Sequence, residues 1–170
     1  MPLRDYQTKA VADVVTAFKK HKRVLLQLAT GGGKTYTFSY LAQRYVKNTG
    51  KKVHILVNRT ELVEQTYNTL LSIGVSAEYI TAKRKNPNPH ATVYVGMVET
   101  VNNRLKRGKL EVDNIGLCII DECHRGEFDK LLDQYKGFIL GCTATPCRLK
   151  RNKFFKCDVC GTEDLPTCCG

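Results

Sequence analysis

The chain has 170 residues, 42% of them hydrophobic and 25% charged, which suits one ordinary domain with its own core and leaves no room for a second full one. Its net charge of +11 is carried by residues 1–150, because the last twenty residues hold three basic and three acidic side chains. No run reaches the roughly twenty apolar residues of a membrane span and no basic-then-apolar signal opens the chain, so a cytoplasmic location is expected.

From Asp5 to Lys20, the apolar residues Val11, Val14, Val15 and Phe18 fall at i, i+3, i+4 and i+7, which predicts an amphipathic opening helix. Val24–Ala29 follows as a continuous apolar run, the mark of a strand buried on both faces. Directly after it comes Ala29-Thr30-Gly31-Gly32-Gly33-Lys34-Thr35, which opens a helix predicted over Lys34–Val46. A glycine-rich turn between strand and helix is the setting of a phosphate loop. The glycines adopt backbone conformations that aim N–H groups inward, and the helix start adds its positive dipole end. Lys34 then reaches the β- and γ-phosphates of ATP, and Thr35 offers a hydroxyl to Mg2+. The strict P-loop pattern fails at one place, where Leu28 stands instead of glycine.

Further buried strands are predicted at Val53–Val57, Thr92–Met97, Leu117–Ile120 and Phe138–Cys142, with helices at Thr60–Leu71, Val98–Lys106 and Phe128–Tyr135. Helices long enough to act as crossovers between parallel strands give an α/β, doubly wound, mostly parallel sheet. The basic and proline-containing run Lys83–Pro89 reads as a solvated surface loop.

The strand over Leu117–Ile120 runs into Asp121-Glu122-Cys123-His124, which places two carboxylates at the carboxyl edge, where open α/β sheets bind their ligands. Asp121 suits a magnesium contact. Glu122 suits orienting the water that attacks a γ-phosphate. Cys118 and Cys142 fall in predicted buried strands and behave there as small hydrophobes.

The phosphate loop and the Asp-Glu-Cys-His box resemble motif I and the DExH form of motif II of superfamily 2 helicases. The resemblance covers residues 3 to about 149 and implies the first RecA-like motor domain. Leu3-Arg4-Asp5-Tyr6-Gln7 resembles the family's adenine-reading Q-type motif, which gives Arg4 and Gln7 contacts to the base. Gly141–Pro146 resembles motif III, which gives Thr143 and Thr145, together with His124, the role of coupling the ATP site to the nucleic-acid site. The turns at Val57–Leu62 and Val95–Thr100 lie where motifs Ia and Ib fall. By the resemblance, Asn58, Arg59, Gly96 and Thr100 touch nucleic acid there; DNA is favoured over RNA, but these motifs do not decide between them. Such strand-to-helix turns present N–H groups and a cation to a phosphodiester backbone without reading sequence.

The overall look is similar to bacterial and phage repair or recombination helicases of the RadD and XPB-like kind. Motifs IV to VI do not occur, so the second RecA-like domain, with its arginine fingers, is expected elsewhere. ATP hydrolysis by this domain alone is then expected to be weak or absent. A rival reading is a solitary ATP-gated module that binds nucleic acid or protein without turnover. A third is the motor part of a nuclease, for which no further carboxylate cluster appears.

Composition shifts after about Lys150. Cys157 and Cys160 form a C-x-x-C-G knuckle, and Cys168 and Cys169 complete a count of four thiols, so residues 151–170 read as a tail with a partial zinc-binding element. Adjacent cysteines rarely share one metal, which leaves free thiols as the alternative.

Overall fold

A computed structural model describes residues 3–27, 33–83, 88–108, 114–121 and 134–143. Six strands, β1 (Arg23–Gln27), β2 (Lys52–Val57), β3 (Ala77–Ile80), β4 (Val93–Met97), β5 (Ile115–Asp121) and β6 (Phe138–Thr143), form one parallel sheet in the order β1-β6-β5-β2-β4-β3. Among the described residues four helices accompany them: α1 (Asp5–Phe18), α2 (Lys34–Thr49), α3 (Thr60–Ser72) and α4 (Val98–Lys106). This is the α/β architecture expected from the alternation of apolar runs and helical periods.

The strands read as continuous apolar runs because both faces of the sheet are covered. Val14, Phe38, Leu41, Val63 and Leu70 pack α1, α2 and α3 onto one face, against Val24, Ile55, Val95 and Ile119. Val98 and Val101 of α4 lie on the other face with Leu56, Ile120 and Ile139. Every residue of β5 is buried. That central strand ends at Asp121, so the carboxylate stands on a rigid support.

Five expected strands and four expected helices appear within a few residues of their expected limits. β3 is an addition: its burial alternates and a charged residue, Glu78, sits inside it. That carboxylate is satisfied by the N–H groups of Tyr79 at 3.0 Å and Asn88 at 3.2 Å. Of the expected helix Phe128–Tyr135 only residues 134 and 135 are described, and Tyr135 is a loop residue there.

Candidate nucleotide site

Strand order brings Lys34 and Asp121 together. β6 lies between β1 and β5, pairing Gln27 with Thr143 on one side and Cys142 with Asp121 on the other. The strand before the loop, the strand of Thr143 and the strand of Asp121 therefore end side by side at one edge. α2 begins at that edge, with Gly33 as its N-cap in the left-handed region at φ 71°. A side chain would strain that conformation, so glycine serves the turn.

Lys34, in the first turn of α2, places its ammonium 2.9 Å from the Asp121 carboxylate. Asp121 is 3% exposed and Lys34 13%, so the pair stands in a largely dry setting where charges interact more strongly than in water. A cation and an anion thus converge beside a helix N-terminus. Thr35 follows, partly buried.

Gln7 reaches this site from α1. It is buried, its Nε2 donates to the Gly33 carbonyl at 3.1 Å, and its Oε1 accepts from the Arg4 N–H at 2.9 Å. Arg4 is exposed at the N-cap of α1. Arg4, Gln7 and Gly33 are therefore joined by hydrogen bonds.

The turns after β2 and β4 share the same edge of the sheet. Thr60, at the start of α3, donates its hydroxyl to the Met97 sulfur at 3.4 Å, joining the two turns. Arg59 is exposed, Asn58 and Thr100 are partly buried, and Gly96 is buried within β4. A Cβ on Gly96 would stand 2.8 Å from a Val101 methyl, so this glycine lets α4 pack closely. Thr143 closes β6, and only its backbone is described. Thr30, Gly31, Gly32, Glu122, His124, Thr145, Cys157, Cys160, Cys168 and Cys169 lie outside the described residues. Among the described residues, no group of three or more His, Cys, Asp or Glu side chains could hold a metal ion.

A buried polar cluster escaped the sequence reading. His54 of β2 meets the Tyr135 hydroxyl through Nδ1 at 2.9 Å, with the rings of Tyr94 and Tyr135 edge-on at 5.6 and 5.7 Å. Burial, aided by the Lys52 charge, lowers the His54 pKa to about 3, so the ring is neutral. Burial also raises the Cys118 thiol and the Tyr135 hydroxyl, which hydrogen-bond to each other. A lone histidine in an apolar strand was the one available signal.

The ResIII profile, described as "Type III restriction enzyme, res subunit", matches residues 1–148. This chain belongs to the ResIII family. Within ResIII, the sheet order and the motif positions make it a RecA-like first domain of the superfamily 2 kind. It is 31% identical over 155 residues to the type I restriction enzyme EcoAI endonuclease subunit of Escherichia coli, an alignment covering 84% of this chain and 19% of that protein. It is 34% identical over 147 residues to the putative ATP-dependent helicase IRC3 of Saccharomyces cerevisiae, covering 79% and 21%. The chain thus spans about a fifth of the length of these curated relatives. The UvsW helicase of bacteriophage T4 shares the fold at a TM-score of 0.72 and 22% identity, over 89% of this chain and 56% of that one. The restriction-modification enzyme LlaGI, solved with a DNA substrate mimic, shares it at 0.71 and 24%, over 86% and 18%. No described helix is long and apolar enough to cross a membrane.

Proposed function

We propose that this ResIII domain is the ATP-binding half of a DNA translocase or helicase, acting in repair, recombination or phage replication. The observation that carries the reading is the Lys34–Asp121 pair, held at 2.9 Å between a buried strand end and the first turn of α2. A catalytic site for phosphoryl transfer needs a cation on the β- and γ-phosphates and a carboxylate for the metal, both placed before substrate arrives. The residues present fit ATP with Mg2+. Thr35 and Asp121 would hold the metal, which when bound neutralises charge on the transferring phosphoryl group.

Gly31–Gly33 cradle the phosphates, Lys34 neutralises them, and Glu122 orients the attacking water. Arg4 and Gln7 stand toward the base. Thr143, Thr145 and His124 link this chemistry to the turns of Asn58, Arg59 and Thr100, which grip a phosphodiester backbone while Gly96 lets α4 approach. A second RecA-like domain, in the same polypeptide or another subunit, supplies the arginine fingers and the opening and closing that stepping requires. Residues 1–150 form the motor domain and 151–170 an appended element that binds zinc through Cys157, Cys160 and Cys168 or Cys169. The polymer is taken as DNA, although relatives named as a DNA helicase and as an RNA helicase align over similar shares of the chain, 85% and 86%, so the ATPase test carries both polymers.

The test is the magnesium-dependent ATPase rate with and without single-stranded DNA or RNA, for this chain alone and joined to a second motor domain. Stimulation by DNA in the joined form supports the proposal. Nucleotide binding without turnover in either form overturns the motor reading in favour of a binding module. Zinc content of the purified chain, before and after Cys157→Ser, tests the tail.

A further inference from the structure

The amino edge of the sheet, the end away from Lys34 and Asp121, carries an open groove of about 620 Å³. It is bounded by the starts of β1, β2, β5 and β6 and by the C-terminal end of α2. That volume lies in the usual ligand-site range of about 300–1,000 Å³. Four lysines line it, Lys22, Lys51, Lys52 and Lys136, and among the described residues lining it none is acidic. Lys52 is positioned by a bond to the Pro89 carbonyl and by Tyr94, whose ring lies 5.3 Å from its ammonium. Lys22, Lys51 and Lys136 are exposed.

The floor is bare backbone, for a reason visible in the register. β2 pairs Lys52 with Ile115 and Val53 with Leu117, so Gly116 is an extra residue on β5, a bulge that bends the strand start. A Cβ at Gly137 would lie 2.3 Å from the Gly116 carbonyl oxygen, and one at Gly116 would lie 2.2 Å from the Tyr45 hydroxyl. Tyr45 and Phe138 add aromatic wall. Ammonium groups around a bare backbone floor with aromatic walls match the chemistry of a nucleic-acid strand: phosphates for the lysines, base faces for the rings.

We propose that this groove binds the phosphodiester backbone of a nucleic-acid strand, a contact separate from the turns at the carboxyl edge. The C-terminal end of α2 opposes an anion there with roughly half a unit of negative charge, which the exposed Lys22 and Lys51 ammonium groups outweigh. Strands of five to seven residues put the groove roughly 20 Å from the Lys34–Asp121 pair, so binding here does not require nucleotide.

The test is fluorescence anisotropy of a short labelled oligodeoxythymidine with the whole chain across a salt series, for Lys51→Glu and Lys136→Glu singly and together. The double variant should bind about tenfold more weakly, and its slope of log affinity against log salt should drop by about 1.4, two phosphate contacts at about 0.7 each. Unchanged affinity and slope overturn the proposal. So does an equal drop in slope for Lys9→Glu, on the exposed side of α1, because binding would then follow diffuse charge. Competition by thymidine monophosphate as effective as by the oligonucleotide, at equal phosphate concentration, overturns the polynucleotide in favour of a small phosphate ligand. Circular dichroism checks folding, with Lys51→Gln and Lys136→Gln as milder variants. Affinity for a fluorescent ATP analogue, unchanged in these variants, reports separately on the nucleotide site.

Discussion

Gln7 in α1 donates to the backbone carbonyl of Gly33, so the residue expected to read a base also grips the end of the phosphate loop. The two are 26 positions apart in sequence, and a Cβ on Gly33 would stand 2.4 Å from Gln7 Nε2. Loss of the carboxamide therefore removes a contact to the loop and a bond to the Arg4 N–H together. Gln7→Ala is expected to cost about 1–2 kcal/mol of stability and to weaken nucleotide binding about tenfold. Gln7→Glu keeps the acceptor for Arg4 and sets a carboxylate against the Gly33 carbonyl. It should retain α1 and still lose affinity. Titration with a fluorescent ATP analogue reads both variants, and wild-type affinity in Gln7→Glu would show that the donor to Gly33 is dispensable.

The Lys34–Asp121 pair predicts opposite effects on binding and turnover for neighbouring residues. Lys34→Ala removes the cation that faces the phosphates and leaves a buried carboxylate without its lysine. Nucleotide binding should vanish, and stability should drop by about 2–3 kcal/mol, below the 3–5 typical of a fully buried pair because Lys34 keeps some exposure. Glu122→Gln should bind nucleotide normally and abolish turnover. Urea unfolding, nucleotide titration and single-turnover hydrolysis together separate the outcomes. Normal nucleotide affinity in Lys34→Ala would remove Lys34 from the site.

His54 makes stability depend on acid. Its pKa is about 3 in the folded chain and about 6.5 when unfolded, so between these values the unfolded chain binds the extra proton and folding weakens as pH falls. The stability is whole above pH 6.5 and is lost progressively down to about 3. The total is on the order of 4–5 kcal/mol, from a shift of about 3.5 units at 1.36 kcal/mol each. His54→Phe should flatten the dependence across this window, at the cost of the bond to Tyr135. Urea midpoints between pH 7 and 4 test it, and an equally steep fall in the variant would assign the dependence to other groups.

The described parts of the candidate nucleotide site were legible because they sit on strand ends and helix starts that local pattern marks well. Lys34 follows a glycine run after an apolar strand, and Asp121 ends another. Their contact at 2.9 Å comes from the order β1-β6-β5, which periodicity along the chain does not encode. β3 escaped because a run of four residues interrupted by Glu78 is short and mixed in character, and the N–H groups of Tyr79 and Asn88 help the sheet tolerate that charge. His54 escaped for the same reason. Its partners Tyr94 and Tyr135 arrive from distant segments, and nothing beside it in sequence signals them. Gly116 of β5 and Gly137, just before β6, carry no motif at all, and their necessity follows only from close approach.

That close approach yields a comparison between two glycines. At Gly137 the three nearest atoms to an added Cβ are backbone: the Gly116 carbonyl oxygen at 2.3 Å, the Gly116 carbonyl carbon at 2.8 Å and the Ile115 oxygen at 3.0 Å. Backbone of a central strand cannot swing aside as a side chain can, so Gly137→Ala must part β5 from β6 or bend one of them. Its cost is expected at the top of the range of about 1–3 kcal/mol for overpacking. At Gly50, the C-cap of α2, φ is 70° and nothing lies within 4 Å of an added Cβ. Gly50→Ala then carries backbone strain alone, about 1 kcal/mol. Urea unfolding of the two variants separates steric conflict from dihedral strain. A Gly137→Ala variant no less stable than Gly50→Ala would mean that the starts of β5 and β6 yield readily, and that a bare floor at the amino edge is not required for the sheet to close.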